Sequence, residues 1–354
     1  MKTIRYGLLC FCALTLAQVP IWAQEAEPEL PGWELEGALT VDTLWNLSGG
    51  IRQDEAILGN LDLSAFVDTE AAGWWKNGSF FLYVLGNANA GRLPTELVGD
   101  IQATSNIEAD EAIKVYEAWY DHLFLDGSLD LLMGLHDYNS EFEVLEHAGL
   151  FINSSFGISP EISQVGPSIF PTTSLGLRGK ITIGENGYGM AAVYDGIPGD
   201  PNNPRGTHIR FDSGDGVFAA FEVGRVTGGE PGDEGYTKVA LGGWLHTTDA
   251  EDVYGEPIDS NAGLYLIGER NLSERTAIFG QLGIADELRN HIAWYVGTGV
   301  TWAALIPGRP DDLIGLAVGV AVNSDNYLKA NPGLNRSDTV IELTWAAEIT
   351  EKLS

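Results

Sequence analysis

Residues 141–164 read EFEVLEHAGLFINSSFGISPEISQ and lie between two strand-like runs, SLDLLMGLHDY (128–138) and TSLGLRGKITI (173–183). The segment is far too long for a hairpin turn. Loops beyond ~12–15 residues are uncommon in compact domains and usually carry function. Its composition is not that of a solvated loop. Leu145, Leu150, Phe151, Ile152, Phe156 and Ile158 are apolar and are interspersed with Asn153, Ser154 and Ser155, which can hydrogen-bond. Apolar side chains at this density call for a surface to pack on. Two settings supply one: the lumen of a β-barrel, which the segment would narrow, or the open end of a β-sandwich, which it would cap.

The N-terminus sets the compartment. Lys2 and Arg5 precede an apolar core over residues 6–17, and Pro20 breaks it before Ile21, Trp22 and Ala23. That is the pattern of a secretory signal peptide cleaved after Ala23. It divides the chain into a signal peptide (1–23), an acidic linker (24–32) and one barrel unit (33–354). Both cysteines, Cys10 and Cys12, fall inside the signal. The mature chain therefore has no disulfide, no thiolate nucleophile and no Cys-ligated metal. Without Lys2 and Arg5, 17 basic residues face 50 acidic ones, a net charge of −33. Nucleic-acid partners need a basic footprint and are excluded. With 44% hydrophobic and 10% aromatic residues the chain folds despite its acidity.

No mature segment has 18 uninterrupted apolar residues, so no helix spans a membrane. Strands that span one alternate outward apolar and inward polar residues over ~10 positions. About 14 such runs follow one another: 33–46, 57–69, 78–90, 112–124, 128–138, 173–183, 188–196, 216–228, 237–248, 261–272, 275–286, 291–305, 312–323 and 338–350. Their connections are sorted by parity, the short gap after the eleventh run being the one exception. The long ones, 90–111, 139–172, 197–215, 249–260 and 324–337, follow odd-numbered runs, and the gaps after even-numbered runs are mostly tight. Outer-membrane barrels place long loops at one end and short turns at the other, whereas a sandwich has no reason to. Trp33, Trp45, Trp74, Trp75, Trp119, Trp294, Trp302 and Trp345 lie near run ends or turns, where interfacial girdles place them.

An ordered series of blocks then supports a resemblance: EAWYDHLFLDGSLDLLMG (117–134), EFEVLEHAGLFINSSFGISPEI (141–162), VYDGIPGD (193–200), NPRGTHIRF (203–211), GGWLHT (242–247), GLYLIGE (263–269), LIPGRPDD (305–312) and DTVIELTW (338–345). Over about 33–354 the chain resembles the carbohydrate-selective porins of Gram-negative outer membranes, the OprB family. The resemblance implies an all-β, antiparallel outer-membrane barrel of about sixteen strands, with the third outer loop folded inward, passing sugars passively. It implies sugars as transported solutes, outer-membrane lipid, lipopolysaccharide and the barrel assembly machinery as partners, a monomer or homotrimer, and no cofactor. The chain departs from the family in two ways. Leu135 stands where the family tends to carry a Lys, and the last two strands are missing. Ser354 also replaces the usual terminal aromatic. The expectation is a fragment with a seam between 33–46 and 338–350; the alternative is direct closure at 14 strands.

Alternation assigns directions. In the sixth run Leu175, Leu177, Ile181 and Ile183 face lipid, so Arg178 and Lys180 point inward. Glu117, Trp119 and Asp121 share one face, read as inward for Glu117, and Lys114, Tyr116 and Tyr120 share the other. Glu222 and Glu342 lie opposite apolar neighbours and also point in. A basic residue facing lipid at mid-depth costs about 2–4 kcal/mol, which favours these directions. The candidate constriction and substrate-lining residues are Glu117, Glu141, Phe142, Phe151, Asn153, Ser154, Ser155, Phe156, Arg178, Lys180 and Glu222. Arg178 opposite Glu117, Glu141 or Glu222 gives either a transverse field or a structural ion pair that pins the loop. The three phenylalanines either anchor the loop or stack on sugar; Asn153, Ser154 and Ser155 either line the hole or satisfy the loop backbone. Acidic pairs and runs at 54–55, 108–111 and 249–256 belong on outer loops, either solvated or sharing divalent cations with lipopolysaccharide.

Enzymatic readings find no support in the sequence. His122, His136, His147, His208, His246 and His291 lack metal-ligand spacing, and no Ser occupies a nucleophile elbow. The alternative functions are a general porin for small hydrophilic solutes and a structural or adhesive barrel.

Overall fold

The computed structural model describes residues 11–15 and 31–349. Fourteen long strands follow one another: β1 (Trp33–Asn46), β2 (Glu55–Asp68), β3 (Gly78–Asn89), β4 (Ala112–Phe124), β5 (Leu129–His136), β6 (Ser174–Ile183), β7 (Gly187–Asp195), β8 (Val217–Thr227), β9 (Thr237–His246), β10 (Asn261–Ser273), β11 (Thr276–Ala285), β12 (Ile292–Ala303), β13 (Leu313–Asn323) and β14 (Ser337–Ala346). Each pairs antiparallel with the next, with no crossover. Short turns therefore suffice at one end, and the insertions collect at the other. The alternation that predicted the strands also orients them. Leu177, Ile181 and Ile183 of β6, Val217, Phe221 and Val223 of β8, and Ile341 and Leu343 of β14 are exposed on one face. Arg178, Glu222, Phe218, Tyr265 and Phe279 are buried on the other.

No hydrogen-bonded ladder joins β1 to β14 among the described residues. The loop 90–111 touches both strands: Ser105 donates to Asp42 of β1 (2.7 Å), and the Ile101 amide donates to Asp338 of β14 (3.1 Å). A short strand, Phe11–Thr15, runs along the free edge of β1, opposite Asp42–Asn46. It falls within the segment read as a signal peptide. The rest of that segment, most of the linker and residues 350–354 lie outside the described residues.

The register corrects one face assignment. A bulge opposite Tyr83 and Val84 of β3 inserts Tyr116 between Val115 and Glu117. An inserted residue resets the alternation on its side of the bulge. Lys114 and Tyr116 are thus buried together with Glu117 instead of facing away from it. Trp119 faces inward as well, and does not belong to the aromatic girdle. Of the expected girdle, Trp33, Trp74, Trp75, Trp294 and Trp345 are exposed, with Trp74 and Trp75 edge-on to Phe80 and Trp75 tilted against Tyr120.

Candidate functional site

The loop 137–173 follows β5 and packs along the concave face of the sheet. Two apolar clusters hold it. Tyr138, Phe142 and Ile162 meet Met190, Tyr194, Phe218 and Trp244. Leu145, Phe151 and Phe156 meet Tyr265, Ile267, Phe279 and Ala317. An irregular segment here must also place its backbone amides, since an unpaired buried one costs about 1–3 kcal/mol. Three wall carboxylates accept them. Glu222 accepts from the Glu143 amide (2.9 Å), and from the hydroxyls of Tyr265 (2.7 Å) and Tyr188 (2.6 Å). Glu269 accepts from the amides of Glu146 (3.2 Å) and His147 (3.0 Å). Glu342 accepts from those of Ile152 (2.8 Å) and Asn153 (3.0 Å). Donors on the wall serve loop carbonyls in return: Lys238 reaches Val144 (2.7 Å) and Gln281 reaches Phe156 (3.0 Å). The loop is thus fastened to β8–β14 by both kinds of group.

At the start of the loop a charged cluster faces the opening. Arg178 donates through Nε to Glu141 (2.6 Å) and pairs through Nη1 with Asp130 (2.7 Å). Lys180 lies 3.9 Å from Glu141. Asp121, one strand over, lies beside Asp130. The side chains of Glu141 and Lys180 are 19% and 43% exposed, so both meet water, whereas that of Arg178, at 4%, is held between its carboxylates. Of the three partners expected for Arg178, the structure brings it Glu141. Glu117 instead accepts from the Asp137 amide (2.9 Å). Asp137 in turn accepts from the Tyr116 hydroxyl (2.5 Å), and burial pushes its carboxyl up to about 6.

Most of the other candidates do not line the opening. Phe142, Phe151, Phe156, Asn153, Ser155 and Glu222 are all buried, and Glu117 nearly so. The phenylalanines anchor the loop. Asn153 caps Ser155 through its side chain, accepting from the Ser155 amide (3.1 Å). Glu222 receives three donors and has no access to a solute. Ser154 keeps partial exposure but is tied to the neighbouring loop, donating to the Ser105 carbonyl (3.0 Å).

Two residues with no sequence signal complete the loop. Glu143 and Glu161 are fully buried. One Glu143 oxygen accepts from the amide and hydroxyl of Ser159; its other oxygen, and both of Glu161, have no hydrogen-bond partner among the described residues. Burial, then the neighbouring Glu222 charge, pushes the Glu143 carboxyl up to about 8. Burial and Glu143 raise Glu161 well above the carboxylate range. Gly283 on β11 leaves the space that Glu161 occupies; a Cβ there would overlap its carboxylate.

On the opposite wall, β1–β4, the ends of the loop meet Glu117 and Tyr116 of β4, and the loop 90–111 meets Asp42 and Asn46 of β1. Elsewhere its inner face presents Asp62, Phe66, Phe81, Tyr83 and Trp119, all partly exposed.

Comparison with known proteins places this geometry. The family model described as "Carbohydrate-selective porin, OprB family" matches residues 52–354. The high-pH structure of Pseudomonas putida OprB superposes with a TM-score of 0.74 at 18% identity, covering 89% of this chain and 85% of that one. The low-pH structure of the same protein gives 0.50 at 12% identity, covering 95% and 81%. No curated protein sequence matches.

Proposed function

The chain belongs to the carbohydrate-selective porin, OprB family, and from that premise we propose how its own residues shape the passage. It is an outer-membrane porin for carbohydrates. The solute path runs between the loop 137–173 and the wall β1–β4. Glu141, Lys180 and Ser154 are the members of the expected lining that touch the solute. Arg178 sets the position of Glu141 and contributes to the field from behind it. A sugar entering the narrows sheds part of its water, and polar groups that replace those hydrogen bonds keep the passage from becoming a barrier.

The observation that carries this reading is uneven anchoring. Glu222, Glu269 and Glu342 bind the middle of the loop backbone on β8, β10 and β14, whereas β4 holds only its two ends, through Glu117 and Tyr116. Export follows from residues 1–23 acting as a cleaved signal, and insertion from the barrel assembly machinery, with the long loops facing lipopolysaccharide. Swelling of liposomes that contain the protein tests selectivity. Glucose and maltose should enter faster than non-sugar solutes of equal size. Rates ordered by size alone would mean a general pore.

A further inference from the structure

We propose that Phe66, Phe81 and Trp119 form a stacking platform for pyranose rings on the β2–β4 wall of the lumen. The proposal rests on the sugar-porin reading and adds a binding site to it.

The three rings are direct neighbours in register: Phe66 opposite Phe81, and Phe81 opposite Trp119. They form one row across three adjacent strands, spanning two strand spacings, or about 10 Å. Phe81 and Trp119 point inward, because their neighbours along the chain are on the lipid side: Leu82 is exposed, and Phe80 and Tyr120 pack edge-on or tilted against exposed Trp75; Phe66 shares their row. Phe81 and Trp119 lie nearly parallel, with centroids 5.0 Å apart and planes 28° apart. The next position in the row is Gly134, which has no side chain to cover Trp119. Its φ of +145° and its contact with the Trp119 backbone leave no room for one.

These rings differ from the other inward-facing aromatics of the lumen. Phe218 and Phe279, and the loop's Phe142, Phe151 and Phe156, are buried by the packing of the loop. Phe66, Phe81 and Trp119 stay partly open to an aqueous passage, where apolar surface is unfavourable by about 25 cal/mol per Å². A solute with an apolar face recovers that cost. Polar rows flank the platform: Ser64, Tyr83 and Glu117 on one side, Ser79 and Asp121 on the other. Flat apolar faces bordered by acceptors match a pyranose, whose C–H face is ringed by hydroxyl donors. An acyclic polyol has the donors without the face.

Single-channel conductance in planar bilayers, with D-glucose or D-mannitol titrated in, tests this. Glucose should block the wild type and mannitol should block it far less. Trp119→Ala should weaken glucose block about three- to tenfold, the scale of one aromatic stacking contact. Phe81→Leu, which keeps apolar volume and loses the ring, should weaken it in the same direction; Trp119→Phe should retain most of it. Phe80→Ala, on the lipid face, should leave it unchanged. Heat-modified gel mobility reports folding of each variant. Equal glucose block in wild type, Trp119→Ala and Phe81→Leu would overturn the platform, as would absence of block in the wild type. Either result leaves the swelling rates, and with them the sugar-porin reading, to stand or fall separately.

Discussion

Raising the pH should loosen the constriction loop, and the carboxyls of Glu143 and Glu161 are the reason. Both are fully buried, and neither makes an ion pair among the described residues. The groups facing them are Glu222 and the hydroxyls of Tyr138 and Tyr295, none of them cationic. Burial, with the Glu222 charge beside it, pushes the Glu143 carboxyl up to about 8 in the packed loop, from about 4.5 when free. The packed state therefore binds the extra proton between those values. Its contribution to holding the loop is complete below about 4.5, falls as pH rises through the window and is lost above 8. For Glu143 alone the loss is on the order of 5 kcal/mol, and Glu161 adds to it in the same direction. Opposing this, Phe142, Ile162, Phe151 and Phe156 hold the loop with about 1.5–3 kcal/mol each. The anchors exceed the loss from Glu143, so the loop stays mostly packed, but its released fraction grows by several decades. The expected record between pH 6 and 9.5 is a rise in open-channel noise and in brief high-conductance excursions that is already steep between pH 6 and 8, where Glu143 loses its proton. The barrel should remain folded by gel mobility. A double variant, Glu143→Gln with Glu161→Gln, should show neither. The same pH response in wild type and double variant, or no response in the wild type, would refute the reasoning.

Other outcomes follow from the same contacts. Arg178→Ala leaves Asp130 and Glu141 facing the opening without their cation, so the reversal potential should shift toward stronger cation selectivity. The folding cost should sit at the low end of the about 3–5 kcal/mol for breaking a buried pair, because both carboxylates reach water. Loss of folding with an unchanged reversal potential would make Arg178 a structural pin only. Glu342→Ala strands the amides of Ile152 and Asn153, at about 1–3 kcal/mol each, and should raise protease sensitivity within 141–164 without unfolding the strands. Gly283→Ala places a methyl where the Glu161 carboxylate lies, and should raise mean conductance at neutral pH; unchanged conductance would show that Glu161 is free to relocate.

The strands were legible because each buries one face. Exposed Leu177, Ile181 and Ile183 around inward Arg178 show the alternation in the finished sheet as plainly as in the sequence. The pairing of Arg178 with Glu141 was legible too, as one of three partners that the inward directions allowed. The bulge beside Tyr116 was not, because it appears only when β4 is laid against β3, and it moved Lys114 and Tyr116 to the inner face. Phe66 and Phe81 were passed over for a related reason. Their strands read correctly, but only the register shows that they align with Trp119 in one row of the inner face. Glu143 and Glu161 carry no local signal at all. Their burial depends on where the loop lands, and an acid between apolar residues reads the same in solvent as in a core.

The inward-facing glutamates show why charge along the chain is a poor guide to charge in the passage. A carboxylate buried on the wall is stable in proportion to the donors it receives. Glu222 receives three, and Glu269 and Glu342 each take two loop amides, so these three are spent on structure. Glu143 and Glu161 receive too few and are held as neutral acids. Glu141 differs from both sets: its counter-charge is Arg178, and it keeps contact with water. The field at the narrows is therefore set by Glu141, Asp130 and Asp121 against Arg178 and Lys180. The net charge of −31 carried by the whole chain overstates it many times over. An uncharged solute crosses such a nearly balanced cluster without a large electrostatic barrier, while small cations are favoured only modestly. A measured cation-to-anion permeability ratio far above about ten, at which the field would exceed about 1.4 kcal/mol, would mean that more of these glutamates are ionised and exposed than their hydrogen bonds allow.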